Sequence, residues 1–452
     1  MPQARWNPPD KFDTGQLSAG LSRLHRWSLC QMMKSVRTVA PWLAGLVCLL
    51  AGVNANEPYL VALRGVGAAI LPITSLIVLF FLTKKGYRST GGLADRFLIL
   101  LWCLPTLTLL HAHVSFDLRK QNVLQTDAMQ AHALGQHFVV GYSSFDEVAA
   151  LADKGLIAGI YITRHNIEGR TAQALRSEIA ALQDRRRSAG LPPLMVAADQ
   201  EGGIVSHLSR AEDYGRTHGQ ELAELGVNQD FAPVLDLRPA TSRRRFDFNT
   251  LIGERAISGD PATVSEIGLA YVRGLDAFKV GATVKHFPGL GRVGADTHHF
   301  SANLDTPLEL LDQSDWRPFK DVLTASKAML MVGHVTLTAV DPDRPASHSA
   351  KVIDGIVRRK WNYQGVIITD DLVMGAIYNH NVCTAVVEAL NAGVDLLLVA
   401  YDGSQFYRIF ACASDALDGG NLDKTVLADS ERRLRRALAA DQRNAFANKA
   451  GR

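Results

Sequence analysis

Three long apolar stretches precede residue 115, and short apolar runs alternating with amphipathic segments follow residue 130. The stretches cover residues 39–55, 59–82 and 97–114. A helix crosses the ~30 Å hydrocarbon core of a bilayer in ~17–25 residues, so the second, unbroken from Gly65 onward, qualifies as a span. The first and third, the latter interrupted by Pro105, stand at the short limit and fit spans, interfacial helices or buried helices. Beyond residue 130, eight runs read as strands: 137–140, 157–162, 194–198, 229–235, 282–284, 328–332, 366–368 and 394–399. Helical segments at 144–154, 171–189, 262–278, 350–360, 385–392 and 430–439 fall between and after them. The strands are almost continuously hydrophobic, as in a parallel sheet covered on both faces. The fold class expected is α/β: a (β/α)8 TIM-like barrel preceded by an N-terminal transmembrane helical region. A doubly wound open sheet is the alternative.

Charge gives the front of the chain an orientation. Arg5, Lys11, Arg23, Arg26, Lys34 and Arg37 precede the first stretch, and Lys84, Lys85, Arg88 and Arg96 separate the second from the third. Only Glu57 separates the first from the second. Basic loops stay in the cytoplasm, so three spans with the N-terminus inside satisfy every loop and place the C-terminal part outside. The expected location is the bacterial inner (cell) membrane, multi-pass, with the soluble part on the periplasmic or extracytoplasmic side. The organisation expected is a basic cytoplasmic segment (1–38), about three transmembrane helices (39–114), a polar linker (115–130) and a soluble barrel (131–452). A cleavable signal peptide is not expected, because about 38 residues precede the first apolar run.

Composition narrows the function classes. In 452 residues, Lys+Arg number 48 and Asp+Glu 45, a net charge of +3 that gives no nucleic-acid footprint. With 21% charged residues the chain does not have a disordered composition. The five cysteines, at 30, 48, 103, 383 and 412, show neither a metal-binding spacing nor a disulfide framework.

Polar residues collect where strands end. The third strand runs into Asp199-Gln200-Glu201-Gly202-Gly203, the fifth into Lys285-His286, the sixth into His334 and the seventh into Asp370-Asp371. In a barrel these ends share one face, the face that holds the active site. Asp370 suits a nucleophile held rigidly at a strand end. The pair Asp370/Asp371 equally suits capping of the following helix, and one Asp can serve each purpose. The loop from His286 to His299 is rich in Gly and places Asp296 two residues from His298, so in an extended segment both face one way. A carboxylate beside an imidazole makes a general acid/base that works near neutral pH. Zinc ligation by His286, His298 and His299 and a solvated loop without a role are the alternatives. Lys285 can donate to substrate hydroxyls or lie on the surface beside a buried His286, and Arg255 can clamp a polar ligand. The clusters Arg243–Arg245 and Arg432/Arg433/Arg435/Arg436 read as solvated.

Taken together, Asp199-Gln-Glu-Gly-Gly203, Asp230-Phe-Ala-Pro-Val-Leu-Asp236, Gly253-Glu-Arg255, Lys285-His-Phe-Pro-Gly289 with Asp296-Thr-His298, Gly333-His-Val335 and Ile368-Thr-Asp-Asp-Leu372 resemble the bacterial β-N-acetylglucosaminidases (β-hexosaminidases) of glycoside hydrolase family 3. The resemblance spans about residues 131–400. It implies a TIM-like barrel, no cofactor, no metal, and a retaining hydrolase with Asp370 as nucleophile and His298, paired with Asp296, as acid/base. It implies sugar-binding roles for Asp199, Arg255, Lys285, His286 and, with a changed side chain, His207. The implied partners are a glycan, such as a peptidoglycan-derived or other envelope saccharide, and the lipid bilayer, with no nucleic acid. The chain departs from the family at Ile204 and His207, where Arg is usual, and at Leu290, where His is usual. His cannot reproduce the two-pronged donor of Arg, so a β-glycosidase or phosphorylase of different sugar specificity, or an inactive glycan-binding relative, is the alternative.

Overall fold

The structure, a computed structural model, describes residues 36, 38–86, 92–201, 208–239, 251–294, 296–297, 300–378 and 381–447. The chain divides between Leu118 and Arg119 into two compact units.

Arg64–Lys84, in the first unit, and Leu93–Leu124, which begins there, are helices long and apolar enough to cross a membrane, by length and composition. The helix over the first apolar stretch, Thr38–Val53, is shorter. It packs through small residues: a Cβ on Gly45 would meet Leu101 and Trp102, and one on Gly52 would meet Pro105 and Thr108. Trp102 Nε1 donates to the Pro41 carbonyl at 3.1 Å, and Asn56 Nδ2 to the Ala112 carbonyl at 2.8 Å. Close backbone approach with a few interhelical hydrogen bonds is how helices associate in lipid. Leu43, Val47, Leu50, Ile73, Leu76, Phe81, Leu107 and Leu110 are exposed, an apolar surface that water would penalise. The helix from Leu93 runs on to Leu124, through most of the segment expected as a polar linker.

The second unit contains β1 (Phe138–Gly141), β2 (Gly159–Tyr161), β3 (Met195–Ala198), β4 (Gln229–Asp230), β5 (Gly281–Phe287), β6 (Ala302–Leu304), β7 (Met329–Val332), β8 (Val335–Leu337), β9 (Ile367–Asp371) and β10 (Leu396–Val399). Eight of them close a parallel barrel in the order β1-β10-β9-β7-β5-β4-β3-β2, and β6 pairs with β8 apart from it. The open-sheet alternative is thereby excluded. Each of the eight expected strands is present, although β4 keeps only the first two residues of 229–235. The chain still follows β5 beyond β4, since Thr283 N donates to Ala232 O at 3.0 Å and Leu235 N to Lys285 O at 2.7 Å.

The alternation of strand residues explains the double burial. Val139, Ala197, Phe231, Met329, Met331, Ile368, Leu396 and Leu398 form one buried cluster. Their neighbours Leu330, Val332, Ile367, Leu397 and Val399 are equally inaccessible, on the opposite side of each pleat. Helices start where side chains cap them: Ser144 accepts from Glu147 N, Thr171 from Ala174 N and Asp260 from Thr263 N. Closure between β1 and β10 needs glycine. A Cβ on Gly141 would strike the Ala400 carbonyl oxygen, and one on Gly403 the Gly141 carbonyl oxygen. Helices Leu208–Leu225, Arg317–Ala325 and Phe406–Asp418 were not expected from the sequence pattern.

Two corrections concern charge and sulfur. Arg433, expected in a solvated cluster, is nearly buried and joins Arg358 on Asp395 at the start of β10, at 2.8 and 2.6 Å. Ser430 Oγ (2.8 Å) and Ile367 N (2.7 Å) complete the donors to that carboxylate. Cys383 and Cys412 form a disulfide, with Cα atoms 5.1 Å apart and a sequence separation of 29. Their spacing carried no such signal, because consecutive barrel helices, Val382–Ala392 and Phe406–Asp418, bring them together.

Candidate active site

The C-terminal ends of the barrel strands converge on one set of charges. Lys285, in β5, is 2% exposed, and its Nζ lies 2.5 Å from Asp199 Oδ1 and 2.7 Å from Glu201 Oε1. Arg255 closes the other side of Glu201, with Nε 2.7 Å from Oε2 and Nη2 on Oε1, in a two-pronged pair. Arg255 Nη2 also stands 3.2 Å from His286 Nε2. His286 Nδ1 meets Asp236 Oδ2 at 2.7 Å, and Asp236 Oδ1 accepts Leu290 N at 2.7 Å. Neighbours in β5 reach the same cluster because its register against β7 shifts between Val284 and Phe287.

Burial acts against the Lys285 charge, but the Asp199 and Glu201 carboxylates outweigh it and hold its pKa above the ordinary lysine value. Burial likewise opposes ionisation of Glu201, yet Lys285 and Arg255 pull its pKa well below the usual carboxylate range. Asp199, which shares Lys285 with Glu201, is the carboxylate that burial pushes up. A neighbouring network holds this segment in place. Asp230 Oδ1 accepts Gln200 N at 3.0 Å, and Asp230 Oδ2 accepts the Tyr271 hydroxyl at 2.9 Å. Burial drives the Asp230 pKa up to about 7 despite those donors.

β9 brings Asp370 to the same end. Asp370 is partly exposed and its Oδ1 accepts Asp371 N at 2.8 Å. Asp371 turns the other way. Its Oδ1 accepts Val373 N (3.1 Å) and Ala400 N (3.0 Å), and its Oδ2 accepts Tyr401 N (2.8 Å). Asp371 thus ties the turn after β9 to the backbone after β10, and none of these donors belongs to the helix Gly375–Tyr378 that the pair was expected to cap. Burial pushes the Asp371 pKa to about 6. Tyr161, at the end of β2, registers the convergence: burial first, then the charges of Asp199, Asp371, Asp370 and Glu201, raise its pKa.

Asp199, Arg255, Lys285 and His286 thus lie together as expected, with Asp370 on the same face. Asp296 is fully buried in the loop that leaves the end of β5, the end shared with Asp370. His298, His299, His207 and Ile204 lie outside the described residues. Glu201 is central yet carried no role in the sequence reading, although it stands in the quoted Asp-Gln-Glu-Gly-Gly segment. Tyr161, Asp236 and Tyr271 gave weaker signals, being one aromatic, one motif end and one helix residue. The arrangement sets a strand-end carboxylate on the same barrel face as cationic donors suited to hydroxyl groups.

The family model "Glycosyl hydrolase family 3 N terminal domain" matches residues 129–437. The chain is 29% identical over 330 residues to a β-hexosaminidase A of Pseudoalteromonas piscicida, covering 64% of this chain and 54% of that protein. It is 33% identical over 271 residues to a β-hexosaminidase of Xanthomonas campestris pv. campestris (strain B100), covering 54% of this chain and 77% of that one. It therefore spans about half the length of the Pseudoalteromonas protein. Among solved structures, a family 3 β-N-acetylglucosaminidase from Paenibacillus sp. str. FPU-7 aligns with TM-score 0.63 and 29% identity over 69% of this chain and 62% of that one. The β-N-acetylglucosaminidase from Thermotoga maritima aligns with TM-score 0.59 and 27% identity over 68% of this chain and 67% of that one.

Proposed function

This chain belongs to glycosyl hydrolase family 3, and from that premise we propose that it is a membrane-anchored retaining hydrolase removing β-linked N-acetylglucosamine from envelope glycans such as peptidoglycan fragments. The observation that carries the reading is the convergence at the C-terminal ends of the strands, where Asp199, Glu201, Arg255, Lys285 and His286 are bonded to one another and Asp370 stands at the end of β9 on the same barrel face. In the first step an Asp370 oxygen bonds to the anomeric carbon as the glycosidic C–O bond breaks, and His298 gives its proton to the departing oxygen. In the second, His298 takes a proton from water, the water oxygen bonds to the anomeric carbon, and the bond to Asp370 breaks. Asp296 orients His298 and stabilises its cation. Asp199, Arg255, Lys285 and His286 hold the sugar hydroxyls. The reading takes support from the relatives' names, all of which describe β-hexosaminidases or β-N-acetylglucosaminidases.

Membrane attachment with the barrel on the extracytoplasmic side is supported by the two long apolar helices, by basic residues in the loop between them, and by the Cys383–Cys412 disulfide, a bond that persists in oxidising compartments. Turnover of an aryl β-N-acetylglucosaminide by the full chain in detergent tests the activity. Wild-type protein inert toward every aryl β-glycoside, with and without phosphate, would overturn it.

A further inference from the structure

Behind the end of β9 lies a buried hydrogen-bonded chain that the reaction does not use. His334, directly after β7, is 1% exposed, and its Nε2 lies 3.0 Å from the Asp371 carbonyl oxygen. A carbonyl oxygen only accepts, so Nε2 carries a proton. A ring carrying that one proton presents Nδ1 as a lone pair, 2.8 Å from Ser347 Oγ. Ser347, fully buried, has a single hydroxyl proton, which this bond consumes. Its oxygen is left to accept, and the group 3.2 Å away is His348 Nδ1, which must therefore donate. One direction of donation thus runs from His348 through Ser347 and His334 to the carbonyl of Asp371, the residue after Asp370.

The rest of the surroundings fits that direction. Burial above all, with the Arg344 charge acting in the same sense, holds the His348 pKa down at about 3, so its ring is neutral. Its Nε2 stands 3.9 Å from Glu388 Oε2, beyond hydrogen-bond distance, while Glu388 Oε1 accepts Arg344 Nε at 2.9 Å. The short turn Ala346–His348 carries Ser347 and His348 as a unit. The Asp371 carboxylate is already held by three backbone donors, so His334 secures the remaining polar group of that residue, its carbonyl.

We propose that Ser347 and His348 are positioning residues which, through the tautomer they impose on His334, hold the backbone that aims Asp370. The proposal rests on Asp370 being the nucleophile. A nucleophile loses rate when its approach is misaligned by even ~1 Å, so a slackened carbonyl anchor reduces turnover without altering how sugar binds.

The experiment uses the full chain in detergent and an aryl β-N-acetylglucosaminide. Ser347→Ala and His348→Leu are expected to lower kcat about tenfold with KM within about twofold. Ser347→Thr, which keeps the hydroxyl, and His348→Asn, whose amide N–H stands where Nδ1–H was, are expected to restore most of it. KM rising with kcat intact, or Asn rescuing no better than Leu, overturns the proposal. Long-range 1H–15N spectra of the wild-type imidazoles decide it independently of any variant: His334 protonated at Nε2 and His348 at Nδ1 are expected, and the reverse tautomers overturn it. A wild type without glycosidase activity would sink the nucleophile reading, whereas the spectra report on the chain of donors alone.

Discussion

Lys285 and Asp199 form a 2.5 Å ion pair in which the lysine side chain is 2% exposed. Breaking one side of such a buried pair costs about 3–5 kcal/mol, since the other charge is left without its partner. Lys285→Met keeps most of the stem and removes the charge, leaving Asp199 and Glu201 to Arg255. The melting temperature is expected to drop by roughly 10 °C, and kcat/KM on an aryl glycoside to fall about 10²-fold. Differential scanning fluorimetry beside the kinetics checks this, and an unchanged melting temperature would mean that the pair is not desolvated.

The two aspartates that end β9 should separate cleanly by mutation. Asp370→Asn is expected to lower kcat by about 10³-fold or more with little change in melting temperature. Asp371→Ala leaves Val373 N, Ala400 N and Tyr401 N without their acceptor, at about 1–3 kcal/mol for each donor that water cannot reach. Its main effect is therefore loss of stability. Equal melting temperatures for the two variants would refute the division of roles.

Stability should depend on pH with a definite sign. Asp230 titrates at about 7 and Asp371 at about 6 in the folded chain, against an ordinary value of 3.8. Between about pH 4 and 7 the folded chain keeps protons that the unfolded chain releases, so these two groups take stability away as pH rises. Glu201, whose pKa is depressed, acts in the opposite sense: it contributes stability above its unfolded value and loses it as pH falls. Asp230→Asn keeps an oxygen for Gln200 N and turns an amide toward the Tyr271 oxygen. The variant is expected to gain on wild type as pH rises from 5 to 7, read from melting curves at each pH. A constant offset across that range would show that Asp230 does not titrate there.

The Cys383–Cys412 disulfide gives a test of sidedness. In intact cells both thiols should resist maleimide until a reductant is added, whereas Cys48 and Cys103 are free. Closing a loop of this length stabilises by about 3–4 kcal/mol in the chain-entropy account, so Cys383→Ser should lower the melting temperature of oxidised protein only. Ready alkylation of Cys383 and Cys412 in unreduced cells would place the barrel in the cytoplasm.

How much of this was legible in the residues follows from range. The strands stood out because each is a short apolar run buried on both faces, and the period does not depend on partners. Lys285, Asp199 and Asp370 were legible because they follow such runs directly, and barrel topology then fixes which end they share. Helix Leu208–Leu225 was missed because its charges and its Gly215 and Gly219 mask the apolar face; a Cβ at either would meet the backbone of the helix holding Tyr271 and Leu275. Arg433 looked like any basic residue in a charged helix, and only the fold shows Asp395 waiting beneath it. The disulfide and the Ser347 bridge between two histidines are products of tertiary contact alone, with no local pattern to announce them.

The seam where Gly141 and Gly403 let β1 and β10 touch has a consequence for biogenesis. The earliest and the latest strands of the domain are neighbours, so no nascent chain ending before residue 399 can shut the ring. The mouth that would receive a saccharide does not exist until β10 has been made. Until then seven strands offer open edges, and the cell must shield them from pairing with other chains.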